Sequence, residues 1–169
     1  MSELIQLDNL DNILTNIAIK IVDNLDLMRC LKFNTTNALS QSITESERYE
    51  LINQDGDISN TRVFFQPFNN LTITEARSEL RIYHASFKPE SIYLTNIHIG
   101  FDIVVHNDLW RLDDGKRRPT TIIKLLLESL NGQDVGGIGL LTFVDRPISL
   151  RYFNDSFTGY TLYLKTRST

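Results

Sequence analysis

Ile97-His98-Ile99-Gly100-Phe101-Asp102-Ile103-Val104-Val105-His106 places an apolar side chain at every second position. Such alternation describes a strand with one buried face, carrying Ile97, Ile99, Phe101, Ile103 and Val105. His98, Gly100, Asp102 and His106 fall on the opposite face, where Val104 is the exception. A charged loop follows, Asp113-Asp114-Gly115-Lys116-Arg117-Arg118, and then a helix opens at Pro119, whose fixed φ suits the first helical position. Ile122, Ile123, Leu126, Leu127 and Leu130 lie on one side of that helix, which ends at Asn131-Gly132. Three short strands complete the chain: Gly137 to Phe143, Ile148 to Phe153 and Gly159 to Lys165.

Upstream, Leu10, Ile13, Leu14, Ile17, Ala18, Ile21, Val22, Leu25 and Met28 recur every three or four residues, predicting one amphipathic helix from about Asp8 to Lys32. Asn34-Thr35-Thr36-Asn37 interrupts the pattern. Thr44-Glu45-Ser46-Glu47 has the spacing of a capping box and predicts a short helix to about Ile52. Asn53-Gln54-Asp55-Gly56-Asp57 reads as a turn; its glycine comes too early for a calcium loop, and no ligand-spaced Glu follows. Arg62 to Phe68 is a β-rich aromatic stretch that Pro67 marks as a sheet edge. Ser78 to Phe87 and Ser91 to His106 are further strands, with an exposed connection from Asn69 to Ala76.

These elements predict a single α+β domain over residues 1–169, with a mostly antiparallel sheet. The long N-terminal helix and the Pro119–Asn131 helix pack on one face of that sheet. Ile17, Ile21, Ile99, Phe101, Ile103, Ile123 and Leu126 are expected in the core.

Composition excludes several classes. With 41% hydrophobic and 22% charged residues, the 169-residue chain is neither disordered nor fibrous. A formal net charge of -4 argues against a dedicated nucleic-acid binder. No apolar run approaches the roughly 20 residues that span a bilayer. Met1-Ser2-Glu3-Leu4 lacks the basic stretch of a signal peptide, so cytoplasmic synthesis is expected and the sequons at Asn34, Asn70 and Asn154 are read as chance. Cys30 is the single cysteine, inside a helical pattern, and reads as a buried inert thiol.

Chemistry is sparse. His98 and His106 share a strand face but stand about 25 Å apart at ~3.3 Å per residue, too far for one ion. A zinc site also has no second cysteine to use, so His84, His98 and His106 read as surface or cross-strand histidines. The Val135-Gly136-Gly137-Ile138-Gly139 cluster leads from helix into strand, the reverse of a phosphate-binding turn. Catalytic, cofactor and metal residues are therefore expected to be none. The sharpest interaction signal is the 113–118 loop, where Asp113 or Asp114 of one copy can meet Arg117 or Arg118 of another. Arg62, Phe64 and Phe68 on the aromatic edge are candidates for apolar contact beside it.

The order of elements resembles the tail-terminator (tail-completion) proteins of long-tailed bacteriophages. The resemblance rests on the Ile97-to-His106 strand, the helix start Arg118-Pro119-Thr120-Thr121-Ile122-Ile123, the helix end Leu130-Asn131-Gly132, the Gly137-to-Phe143 strand and Phe157-Thr158-Gly159-Tyr160-Thr161-Leu162. It implies an antiparallel-rich sheet with helices on one side, and a non-enzymatic virion protein. Such proteins form hexameric rings at the neck that cap the tail tube and sheath and join the tail to the head. It also implies partners among tail-tube, sheath and head–tail connector proteins, no membrane, and DNA passing through the lumen without specific binding. An acidic lumen wall fits that passage. Residues 40–60 read as an insertion relative to short members. Two alternatives stand beside it: a head-completion or stopper protein of the same neck, and a small ligand-binding or enzymatic α+β domain.

Overall fold

The computed structural model describes residues 5–55, 58–67, 75–91, 94–136 and 138–168. Its helices are α1 (Ile5–Val22), α2 (Leu25–Lys32), α3 (Glu45–Glu50) and α4 (Arg118–Leu130). The strands are β1 (Val63–Phe64), β2 (Ser78–Ser91), β3 (Leu94–His106), β4 (Ile138–Phe143), β5 (Ser149–Tyr152) and β6 (Phe157–Ser168). They form one sheet in the order β1-β2-β3-β6-β4, and β5 pairs with β6 beyond β4 on the same side. All pairings are antiparallel except β1 with β2. The fold is α+β, as the alternation predicted.

The predicted register of β3 holds. Ile97, Ile99, Phe101, Ile103 and Val105 are fully buried on the helix-covered face. Phe101 stands opposite Ile82 of β2 and Leu162 of β6, so three strands present apolar side chains at one level. Against them lie Ile13, Ile17 and Ile21 of α1, Leu27, Met28 and Leu31 of α2, and Ile122, Ile123 and Leu126 of α4, in one continuous cluster. Both helical segments thus share a face of the sheet, because each has a single apolar stripe to remove from water.

The predicted Asp8–Lys32 helix is two helices. The break falls at Asp23-Asn24, where Asn24 takes an extended backbone (φ -82, ψ 97) and its side chain accepts a hydrogen bond from the Leu27 N–H. Its amide also donates to Leu125 O at 3.2 Å and Ser129 Oγ at 2.8 Å on α4. The apolar pattern changes phase there: Leu25 is exposed, whereas Leu27, Met28, Cys30 and Leu31 are buried. A bend lets α2 lie on the sheet at its own angle while Asn24 ties the corner to α4.

Thr44 and Glu47 form the predicted capping box, although α3 ends at Glu50 rather than Ile52. Leu51 enters the core, and Arg48 Nη1 donates to Val22 O at 2.8 Å. Helix α3 is thereby tied to the α1–α2 corner. The predicted Arg62–Phe68 strand contracts to Val63–Phe64, and Phe68 lies outside the described residues. Much of the Asn69–Ala76 connection and part of the Asn53–Asp57 turn also lie outside them. Helix α4 starts at Arg118 and ends at Leu130, followed by Gly132 at φ 74, a left-handed conformation that glycine takes without strain. Strands β3 and β6 approach so closely that a Cβ on Gly159 would sit 1.7 Å from Ile103 O.

Candidate assembly surfaces

The charged loop is a tight turn closed by its own backbone. Arg111 bridges Arg117, Leu112 N–H donates to Lys116 O at 3.0 Å, and Gly115 sits at φ 79. Asp114 accepts from the Lys116 backbone at 3.0 Å and pairs with Lys116 Nζ at 2.6 Å. The Lys116 ammonium is the main cause that lowers the Asp114 pKa, and Asp114 in turn raises that of Lys116. Asp113 and Arg117 are exposed, and Arg117 Nη1 donates to Gly115 O at 3.2 Å.

Arg118 is a different case, and a correction. It is fully buried, with no surface to offer a neighbour. Its Nε donates to Leu109 O at 2.9 Å, Nη1 to Cys30 O at 2.7 Å and Phe33 O at 2.8 Å, and Nη2 to Thr35 O at 2.6 Å. A planar five-donor fork suits this task, reaching carbonyls at the end of α2 and beyond it. Burial lowers the Arg118 pKa, while the carbonyls and the C-terminal end of α2 favour its charged form. Cys30, next to this fork, is buried and burial pushes its thiol up to about 11.

The aromatic edge is also corrected. Phe64 and Arg62 are buried within the chain rather than presented to a second one. Register places Phe64 opposite Arg81 of β2, on the sheet face away from the helices. Arg62 Nη1 donates to Ser59 O at 2.8 Å and Thr61 O at 3.0 Å. Burial, and then the neighbouring Arg77, lower its pKa. On the same face the fully buried Glu79 pairs with Arg77 and, at 3.3 Å, with Arg81. Two arginines thus hold one buried carboxylate, with the buried Arg62 close by, on the sheet face away from the helices.

The histidines go to hydrogen bonds. His84 Nε2 lies 3.0 Å from Leu10 O, His98 Nδ1 lies 3.2 Å from Ser86 Oγ, and His106 Nδ1 accepts from the Asp108 N–H at 3.2 Å. Among the described residues no three His, Cys, Asp or Glu side chains gather as a metal site, and no helix is long and apolar enough to cross a membrane.

Sequence reading missed the surface that stands out most. Leu140, Phe143, Ile148, Leu150 and Tyr152 are exposed, five of the nine large exposed apolar side chains among the described residues. All five lie along β4, β5 and their connection, and Tyr152 is 80% exposed. Every residue of β5 is exposed, and among the described residues it pairs only with β6. Its outer edge offers free backbone donors and acceptors. The Ile148–Phe153 strand was legible in the sequence, but the exposure of Ile148, Leu150 and Tyr152 was not.

Fold and surface together define an α+β protein with a sheet covered by helices on one side and open along an apolar edge. A family model described as YomW matches residues 24–166, and the chain belongs to that family. The family is named after a gene of a Bacillus phage region, which associates it with phage. Comparison with curated proteins and with solved structures gives no match.

Proposed function

We propose that this protein is a non-enzymatic structural component of a phage particle, working as a closed ring at the neck that terminates the tail tube and joins it to the head. The observation that carries this reading is the one-sided sheet: antiparallel-rich, with α1, α2 and α4 on a single face, as the resemblance to tail terminators implies. The phage association of the YomW family supports the setting. The apolar open edge supports assembly, since exposed apolar patches mark contact surfaces. In this reading the partners are further copies of the chain, tail-tube and sheath proteins on one side and connector proteins on the other. DNA passes through without specific binding.

Negative-stain electron microscopy of the purified protein, alone and with tails from a terminator-deficient phage, tests the reading. Rings of fixed symmetry, a hexamer being expected, that cap free tail ends support it. A protein that stays monomeric at every concentration overturns it, and rings that join only connectors reassign the protein to the stopper position.

A further inference from the structure

The large exposed apolar side chains fall into two main groups of opposite electrostatic character. The first is the β4–β5 edge, where Leu140, Phe143, Ile148, Leu150 and Tyr152 are interleaved with exposed Arg146 and Arg151 against a single exposed acid, Asp145. Arg146 lies over the Tyr163 ring at 5.1 Å, which holds its charge beside the patch. The second is helical: Ile19, Leu25 and Tyr49. Arg48 draws it together by donating to Val22 O at 2.8 Å and lying 3.8 Å from Asp23 Oδ1, so that α3 sits against the α1–α2 corner. Exposed Asp23, Glu45 and Glu50 surround this second group, and Glu45 and Glu50 form no ion pair among the described residues. The sequence carries the same asymmetry: residues 1–60 hold ten acidic and four basic side chains, and residues 144–169 hold two acidic and four basic.

We propose that the basic apolar β4–β5 edge of one copy docks on the acidic apolar α1–α3 corner of the next copy. The inference rests on the ring reading and gives it an interface. Two different patches that complement each other make a heterologous contact, which propagates head to tail and closes into a ring when the rotation allows. The alternative self-pairing of two β5 edges places Arg151 and Arg146 of both copies on one seam, and like charges there oppose it. Charge complementarity therefore selects the helical corner as occupant. The Asp113–Arg117 loop is not required, which accords with Arg118 being held inside and Asp114 being paired to Lys116.

Cysteine cross-linking tests this directly, because the native Cys30 is buried and leaves engineered thiols as the reactive ones. Tyr49→Cys and Leu150→Cys are made singly in the full chain, and circular dichroism checks that each folds. A short bis-maleimide is then added to each variant alone and to their mixture. Covalent dimers from the mixture, with neither variant dimerising alone, are the expected result. Dimers from Leu150→Cys alone overturn the proposal in favour of edge-to-edge pairing. Absence of cross-links while the wild type still forms rings overturns the interface but leaves the ring reading standing. A monomeric wild type in mass photometry overturns both. As a second arm, Arg151→Glu weakens wild-type assembly about tenfold or more if the charge pairing holds. Unchanged assembly by Arg151→Glu, with duplex DNA retained by the wild type and lost by the variant, overturns the proposal and makes the edge a nucleic-acid face.

Discussion

Arg118→Ala removes a fully buried guanidinium and leaves the carbonyls of Cys30, Phe33, Thr35 and Leu109 without its donors, the first in a buried bond and the others in partly buried ones. A buried acceptor left without its donor costs roughly 1–3 kcal/mol, so losing several at once is expected to cost about 3–5 kcal/mol. Arg118→Lys recovers only part of this, because an ammonium has three donors and no fork to reach acceptors in three directions. Urea denaturation of the two variants checks both the size and the order. Equal stability of Arg118→Lys and wild type would show that charge alone, not the fork, holds the site.

At the scale of elements, two corners decide how the helices meet the sheet. Asn24 caps α2 and ties it to α4, so Asn24→Ala is expected to cost about 1–2 kcal/mol, the upper end of the range for a lost N-cap. Asn24→Asp retains the cap acceptor but loses the donors to Leu125 O and Ser129 Oγ, and it should fall between the two in a thermal melt. The second corner is held by Glu47, which caps α3 through Thr44 and pairs with Lys32 of α2. The Lys32 ammonium, followed by the Thr44 backbone and hydroxyl, lowers the Glu47 pKa from 4.5 to about 2. A carboxyl whose folded pKa is depressed contributes stability above its unfolded pKa and loses it as pH falls through the folded value. The attachment of α3 to α2 is thus expected to weaken progressively between pH 4.5 and about 2. Hydrogen exchange of α3 amides across that window reads it, with Glu47→Gln as the variant that shows no such dependence.

For the whole molecule, one core joins five strands and three helices, and Phe101 sits in it between Ile82 and Leu162. Phe101→Ala is expected to destabilise by ~3–5 kcal/mol, enough to unfold a marginal domain at moderate temperature. A calorimetric melt with only a small shift would mean that the sheet and helices do not unfold together. Leu150→Ala, on the open edge, is expected to leave the monomer's melt within about 0.5 kcal/mol of wild type, because the side chain is already exposed. Measured side by side, the two variants separate folding from assembly.

Alternation in Ile97–Val105, the stripes of the N-terminal and Pro119–Asn131 segments, and the Thr44–Glu47 box were legible in the sequence by itself, as was the α+β class. Each is a local signal: a period of two, a period near 3.6, or a pair of groups three residues apart, fixed by backbone geometry wherever it occurs. What required the tertiary structure was which side of each element meets protein and which meets solvent. Arg118 looked like a surface charge because three of its four acceptors come from residues 30, 33 and 35, far away along the chain. Arg62 and Phe64 looked like an exposed edge, but the second sheet face is lined by Arg77, Glu79 and Arg81, and they are buried with it. Ile148 to Phe153 was legible as a strand, yet every residue of β5 is exposed and none joins the core that the helices cover. Periodicity sets the faces of an element; only the arrangement of its neighbours determines which face is covered.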